Sequence, residues 1–271
     1  MNFLELRKGL RYMRKIVFIF VLILLIGLPS CSKIITGEVS KERQRNVNQV
    51  YDAQTNVPIE GVLIKVPAQN YQTRTEKDGT FKLKTNINSP TIMSVEKSGY
   101  KPFSMTLKDE GGTPIQVAIE KTTPHDIIVD TDMIHIGDNS FSSRSANASE
   151  FSLHSSGPFY SKDFKIKLLN AGEELFLVIG SIIGIDTIEA QRMGQSHVLT
   201  AYSSPPEIFF NGNKISEIKI NGDNQKIKIP FNLIKQNNSN NLTIKTGRNL
   251  YKTSAIDFDD IEFANILFEI K

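Results

Sequence analysis

Four carboxylates fall within six residues near the C-terminus: Asp257, Asp259, Asp260 and Glu262. Two carboxylates perform glycosidase chemistry only when both flank one bond. Asp259 and Asp260 are a poor couple, because adjacent residues of a strand point to opposite faces. The histidines are His125, His135, His154 and His197, and none has HExxH or another ligand spacing. His135 and His197 stand in apolar contexts and read as core or edge residues. No G-x-S-x-G elbow, P-loop or G-x-G-x-x-G fingerprint occurs. The sequence therefore predicts no catalytic activity. Recognition is the remaining chemistry. Sugar sites stack aromatic rings on the apolar faces of pyranoses, and this chain has no Trp. Tyr160, Tyr202 and Tyr251 remain, with Phe209 and Phe210 on a hairpin. Phe209 and Phe210 point oppositely, so at most one faces any given surface. Tyr160 and Tyr202 are the candidate ligand contacts.

These side chains need a scaffold. The chain has 271 residues, 39% hydrophobic and 23% charged. At roughly 100–200 residues per domain, that suits one large domain or two small ones. A single Cys excludes an internal disulfide. The formal net charge is +3. Setting aside residues 1–30, which hold five basic residues and one acid, leaves 27 basic against 28 acidic residues. A nearly neutral body argues against nucleic acid as a partner, since phosphate binding needs a basic field.

Arg7, Lys8, Arg11, Arg14 and Lys15 precede an unbroken apolar run from Ile16 to Ile26. The run is shorter than the roughly 20 apolar residues that span a bilayer. Its length and basic flank match a secretory signal peptide. It ends in Leu28-Pro29-Ser30-Cys31, which resembles the bacterial lipobox. That resemblance implies lipidation at Cys31, the only thiol. Two or more acyl chains suffice for stable membrane anchoring. Ser32 follows the Cys in place of Asp, which by the usual lipoprotein sorting rule implies the outer membrane of the cell envelope. Periplasm-facing and surface-exposed orientations both stay open.

Beyond residue 36, short alternating runs bounded by Gly, Asn, Asp and Pro recur every ten or so residues, the all-β pattern. Lys77-Asp78-Gly79-Thr80 and Phe210-Asn211-Gly212-Asn213 both read as type I′ hairpins. Ile266, Phe268 and Ile270 give the last strand one apolar face, but Ile261 and Phe263 have the opposite parity. A bulge near Ala264-Asn265, or burial on both faces, is expected. Lys121–Pro124 is the best linker.

In the first block, Val50-Tyr51-Asp52, Thr55, Pro58-Ile59-Glu60-Gly61-Val62, the run Thr73–Leu83 and Gly99-Tyr100 follow one another. Together they resemble the carboxypeptidase regulatory-like domain. The resemblance implies a transthyretin-like β-sandwich and an accessory module without peptidase activity, in which Asp52, Asp78 and Gly79 have structural roles.

In the second block, Ile134–Phe141, Ile208–Ile215, Ile229–Lys235, Asn241–Ile244 and Asp259–Ile266 occur in an order that resembles the galactose-binding-like jelly roll of carbohydrate-binding modules. Such modules often carry a structural Ca²⁺ between an early loop and the last strand. Calcium takes six to eight oxygen ligands. The resemblance makes Asp138 and Asp259 the candidate metal ligands.

The expectation is thus an all-β protein of two β-sandwich domains. Residues 1–30 are a lipoprotein signal peptide, 31–42 an acylated tether, 43–122 the transthyretin-like sandwich and 125–271 the jelly roll. The expected role is a non-catalytic, lipid-anchored binding or adaptor module with carbohydrate as the leading ligand. The alternative is a structural spacer or docking subunit of an outer-membrane protein complex.

Overall fold

Alternation with period two decides which residues go inside. The computed structural model describes residues 46–271 apart from 84–86, 88–89, 109–112, 142–150, 152 and 199–201. The expected signal peptide, the expected lipidation site Cys31 and the expected tether 31–42 lie outside the described residues. Among the described residues the regular structure is almost all strand. No helix there is long and apolar enough to cross a membrane.

The first sandwich contains β1 (Gln49–Asp52), β2 (Leu63–Val66), β3 (Tyr71–Arg74), β4 (Thr91–Glu96), β5 (Phe103–Leu107) and β6 (Gln116–Ile119). One antiparallel sheet has the order β3-β2-β4-β5, and β1 pairs with β6 in parallel. Ile64 and Val66 of β2, Met93 and Val95 of β4, and Val117 and Ile119 of β6 alternate into one core with Val50 and Phe81. That burial is what holds short, individually weak strands together.

The two Gly turns differ. Asn211 and Gly212 both have positive φ, 49° and 80°, and close the β10–β11 hairpin as the expected type I′ turn. At Lys77–Thr80 only Gly79 is left-handed, φ 74°. Gly79 N–H donates to Glu76 O at 2.9 Å, which is a type I turn followed by a left-handed glycine. The reason lies in Asp78. Its carboxylate accepts from Thr80 N–H at 3.1 Å and from Thr80 Oγ1 at 2.6 Å, closing the turn locally.

The second sandwich contains β7 (Ile127–Ile136), β8 (Phe159–Lys165), β9 (Leu175–Ile183), α1 (Ile188–Arg192), β10 (Glu207–Phe210), β11 (Asn213–Glu217), β12 (Gly222–Lys228), β13 (Ser239–Lys245) and β14 (Ile261–Ile270). Its sheets have the orders β7-β14-β9-β12 and β8-β13-β10-β11. Successive strands switch sheets at every step except the β10–β11 hairpin. Phe210, Phe263 and Phe268 fill the space between the sheets, with Phe164 stacked on Phe268 at 4.4 Å. The expected irregularity in β14 is present: its pairing with β7 shifts between Ala264 and Ile266, and Asn265 has φ 59°.

β14 is buried on both faces from Ile261 to Phe268 because one face meets its own sandwich and the other meets the first. The chain from Ser40 to Lys271 is one compact unit. Ile92 of β4 packs with Ile183 and Ala264. Thr106 donates from N–H and Oγ1 to Asp223 at 2.9 and 2.7 Å. Glu269 accepts from Lys101 at 2.9 Å and from Lys226 at 2.6 Å. Gly180 lies so close to Ser104 Oγ that a Cβ there has no room.

Candidate functional site

Residues 246–260 join β13 to β14 and form a pinned loop. Its neck is a four-way lock. Asn249 N–H donates to Asp257 O at 2.8 Å, and Asn249 Nδ2 donates to Asp257 Oδ2 at 3.0 Å. Lys252 Nζ pairs with Asp257 Oδ1 at 2.9 Å, and Tyr251 N–H donates to Asn249 Oδ1 at 3.0 Å. Burial disfavours the Asp257 carboxylate, but Lys252 and Asn249 outweigh it and hold its carboxyl below the usual range. Loop 202–206 is tied to the same neck: Leu250 N–H donates to Tyr202 O at 2.7 Å, and Ser203 bridges Asn249.

This frame presents aromatic surface. The rings of Tyr202 and Tyr251 lie 5.1 Å apart, inclined at 47°. Tyr251 is 59% exposed, with Leu250 and Ile256 equally open on the same loop. The hydrogen-bonded loop thus holds several large apolar side chains in solvent. Tyr251 has two rotatable side-chain bonds and loses little entropy on binding. Sequence reasoning named Tyr251 among the aromatics without choosing it; the readable signal was a Leu-Tyr pair in the polar first half of the loop.

Tyr160 is placed differently. Its hydroxyl donates to Asp130 Oδ2 at 3.1 Å, and its ring meets core Phe263 edge-on at 5.7 Å. Burial, and then Asp130, push its phenol well above the ordinary range. Its ring and hydroxyl already have partners, so the partner of Tyr202 is Tyr251 and not Tyr160.

Asp138 and Asp259 also go to separate tasks. Asp138 Oδ1 accepts from Ser140 N–H at 3.0 Å and Oδ2 from Phe258 N–H at 2.9 Å, which is turn closure. Asp259 is buried and accepts from Asp186 N–H at 3.1 Å. Burial, reinforced by the Asp186 carboxylate, pushes its pKa well up. Among the described residues, no group of three or more His, Cys, Asp or Glu side chains could hold a metal ion. Asp138 and Asp259 instead accept hydrogen bonds from separate backbone N–H groups.

His135 is buried in a charged setting. Its Nε2 lies 2.8 Å from Asp260 Oδ1 and its Nδ1 lies 2.6 Å from Leu153 O. Asp260 already accepts from Asn139 N–H at 2.9 Å and Ser140 N–H at 3.1 Å, as a carboxylate does. Both ring nitrogens thus face oxygen acceptors, an arrangement that favours the imidazolium. Burial opposes that charge, but Asp260 and Leu153 prevail and raise its pKa. Glu262 Oε1 stands 4.0 Å from Nδ1. The cluster fastens the β7–β8 connection to β14 and holds no nucleophile.

No curated protein matches the chain. Residues 49–128 match the family described as the CarboxypepD_reg-like domain. The match runs from the start of β1 into β7 and so spans the first sandwich. The first sandwich of this all-β chain is thus similar to the CarboxypepD_reg-like domain.

Proposed function

We propose that this protein is a non-catalytic, lipid-anchored module of the bacterial envelope that binds carbohydrate at the Tyr202–Tyr251 rim. The observation that carries the reading is that rim: two inclined rings, one mostly exposed, on a loop locked at its neck. The strand order β7-β14-β9-β12 against β8-β13-β10-β11, with alternating sheet crossings, supports a jelly-roll reading of the second domain, an architecture used by lectins. Fold alone does not assign a ligand, so the weight rests on the rim. The Leu28–Cys31 sequence supports anchoring, and Ser32 supports the outer membrane. The CarboxypepD_reg-like domain serves as the accessory module between anchor and binding domain.

The test is a glycan array probed with the soluble chain from residue 33 onward. Binding to a defined sugar class, lost in Tyr251→Ala and weakened in Tyr202→Ala, is the expected result. Silence of the folded protein across a broad array would sink the carbohydrate reading. It would favour the spacer or docking role, for which the exposed Leu250 and Ile256 already offer an apolar contact.

A further inference from the structure

β13 has two ends. The aromatic rim follows its last residue. At the other end, residues 166–174 join β8 to β9, residues 229–238 join β12 to β13, and a cavity of about 600 Å³ opens between them. That volume lies within the range of small-molecule sites. Leu169, Leu175 and Ile229 form its floor as part of the core, with Ile234 half-buried beside them. Leu168 and Phe231 stand on the two lips, 65% and 59% exposed.

The cavity is preformed. Leu169 N–H donates to Gln236 Oε1 at 3.1 Å, which joins the two loops. Ile229 N–H donates to Leu175 O at 2.9 Å, and Ile234 N–H donates to Phe231 O at 3.1 Å. Glu173 accepts from Asn170 N–H and Nδ2, each at 2.8 Å, which fixes the other lip. Braced loops spend little conformational entropy on binding. The charges around the opening also select. Lys228 is paired with Glu174. Glu173 is negative and both its oxygens are occupied. Among the described residues that line the cavity, the one cation, Lys228, is already paired, and Glu173 repels an anion.

We propose that this cavity binds an uncharged apolar small molecule, with a ring or short alkyl chain lying between Leu168 and Phe231. The site is independent of the carbohydrate reading, which concerns the other end of the sandwich. The probe is N-phenyl-1-naphthylamine, a neutral fluorophore, titrated into the soluble chain from residue 33, with 1-decanol as competitor and an anionic naphthalene sulfonate as comparison. Saturable binding of one probe per chain is expected, displaced by decanol and poorly matched by the sulfonate. Phe231→Ala and Leu168→Gln should each weaken it about tenfold, the loss expected from removing one apolar wall. Both residues are mostly exposed, so an unchanged melting curve accompanies each variant. Leu250→Ser/Tyr251→Ser should leave binding intact. Absence of saturable binding would overturn the proposal. So would indifference to both cavity variants, loss of binding in the Leu250→Ser/Tyr251→Ser protein, or equal affinity for the sulfonate.

Discussion

Replacing His135 by Leu removes one partner of a buried ion pair and keeps the other. The His135 side chain is 1% exposed and that of Asp260 is fully buried. Asp260 would keep the N–H groups of Asn139 and Ser140 but lose its counter-charge. Leu153 O would lose its donor as well. Stranding a buried charge costs about 3–5 kcal/mol, which in a protein of this size lowers Tm by roughly 6–20 °C. Urea unfolding at pH 6 measures the loss. The double variant His135→Leu/Asp260→Asn removes the stranded charge and should recover a large share of it. The pH dependence has a definite sign. His135 has a raised folded pKa, so its contribution is fully present below the unfolded value of 6.5 and fades as pH rises through the folded value. Wild type should therefore lose stability above pH 6.5, at up to about 1.4 kcal/mol per pH unit, along a slope that His135→Leu lacks. Asp259 titrates in both proteins, so the comparison isolates His135. A single-variant cost below about 1 kcal/mol, or parallel pH profiles, would refute the imidazolium assignment.

Glu269 joins the two sandwiches, and its opposite response to pH follows from an opposite shift. Burial opposes its charge, but Lys226 and Lys101 bring its pKa from 4.5 down to about 2. Its contribution is present above pH 4.5 and disappears as pH falls toward 2; Glu269→Gln should cost about 2–3 kcal/mol at pH 7 and flatten that acid limb in urea titrations. Gly79→Ala places a Cβ 2.6 Å from Val50 O at φ 74°, so a loss of about 2 kcal/mol or more is expected in calorimetry, and a loss below about 0.5 kcal/mol would contradict the turn geometry. Adding a chelator should leave Tm unchanged, because Asp138 and Asp259 have other tasks; a fall of several degrees that Ca²⁺ restores would return them to a metal site.

What the sequence makes readable is whatever depends on neighbours along the chain. Asn211-Gly212 yields its hairpin because both positive-φ positions are local. The parity conflict between Phe263 and Phe268 yields a bulge because pleat alternation is local too. Lys77–Thr80 yields a turn but the wrong type, since the deciding contact is the Asp78 carboxylate folding back on Thr80. The site depends on longer reach. Tyr160 and Tyr251 look equivalent in the sequence, and only the position of Asp130, 30 residues from Tyr160, takes the first out of solvent. The burial of β14 on both faces is foreshadowed by the same parity conflict, but its cause, the cover that Ile92 of the first sandwich supplies, is not. Asp259 and Asp260 illustrate the point most sharply. Both lie in the loop that precedes β14, where pleat alternation does not apply, and their chemistry comes from residues far away in sequence. Burial and the Asp186 carboxylate raise the pKa of Asp259, whereas Asp260 pairs with His135. Adjacent carboxylates thus stand in different electrostatic settings, and each setting is a consequence of tertiary partners and not of the acidic run that first drew attention to both.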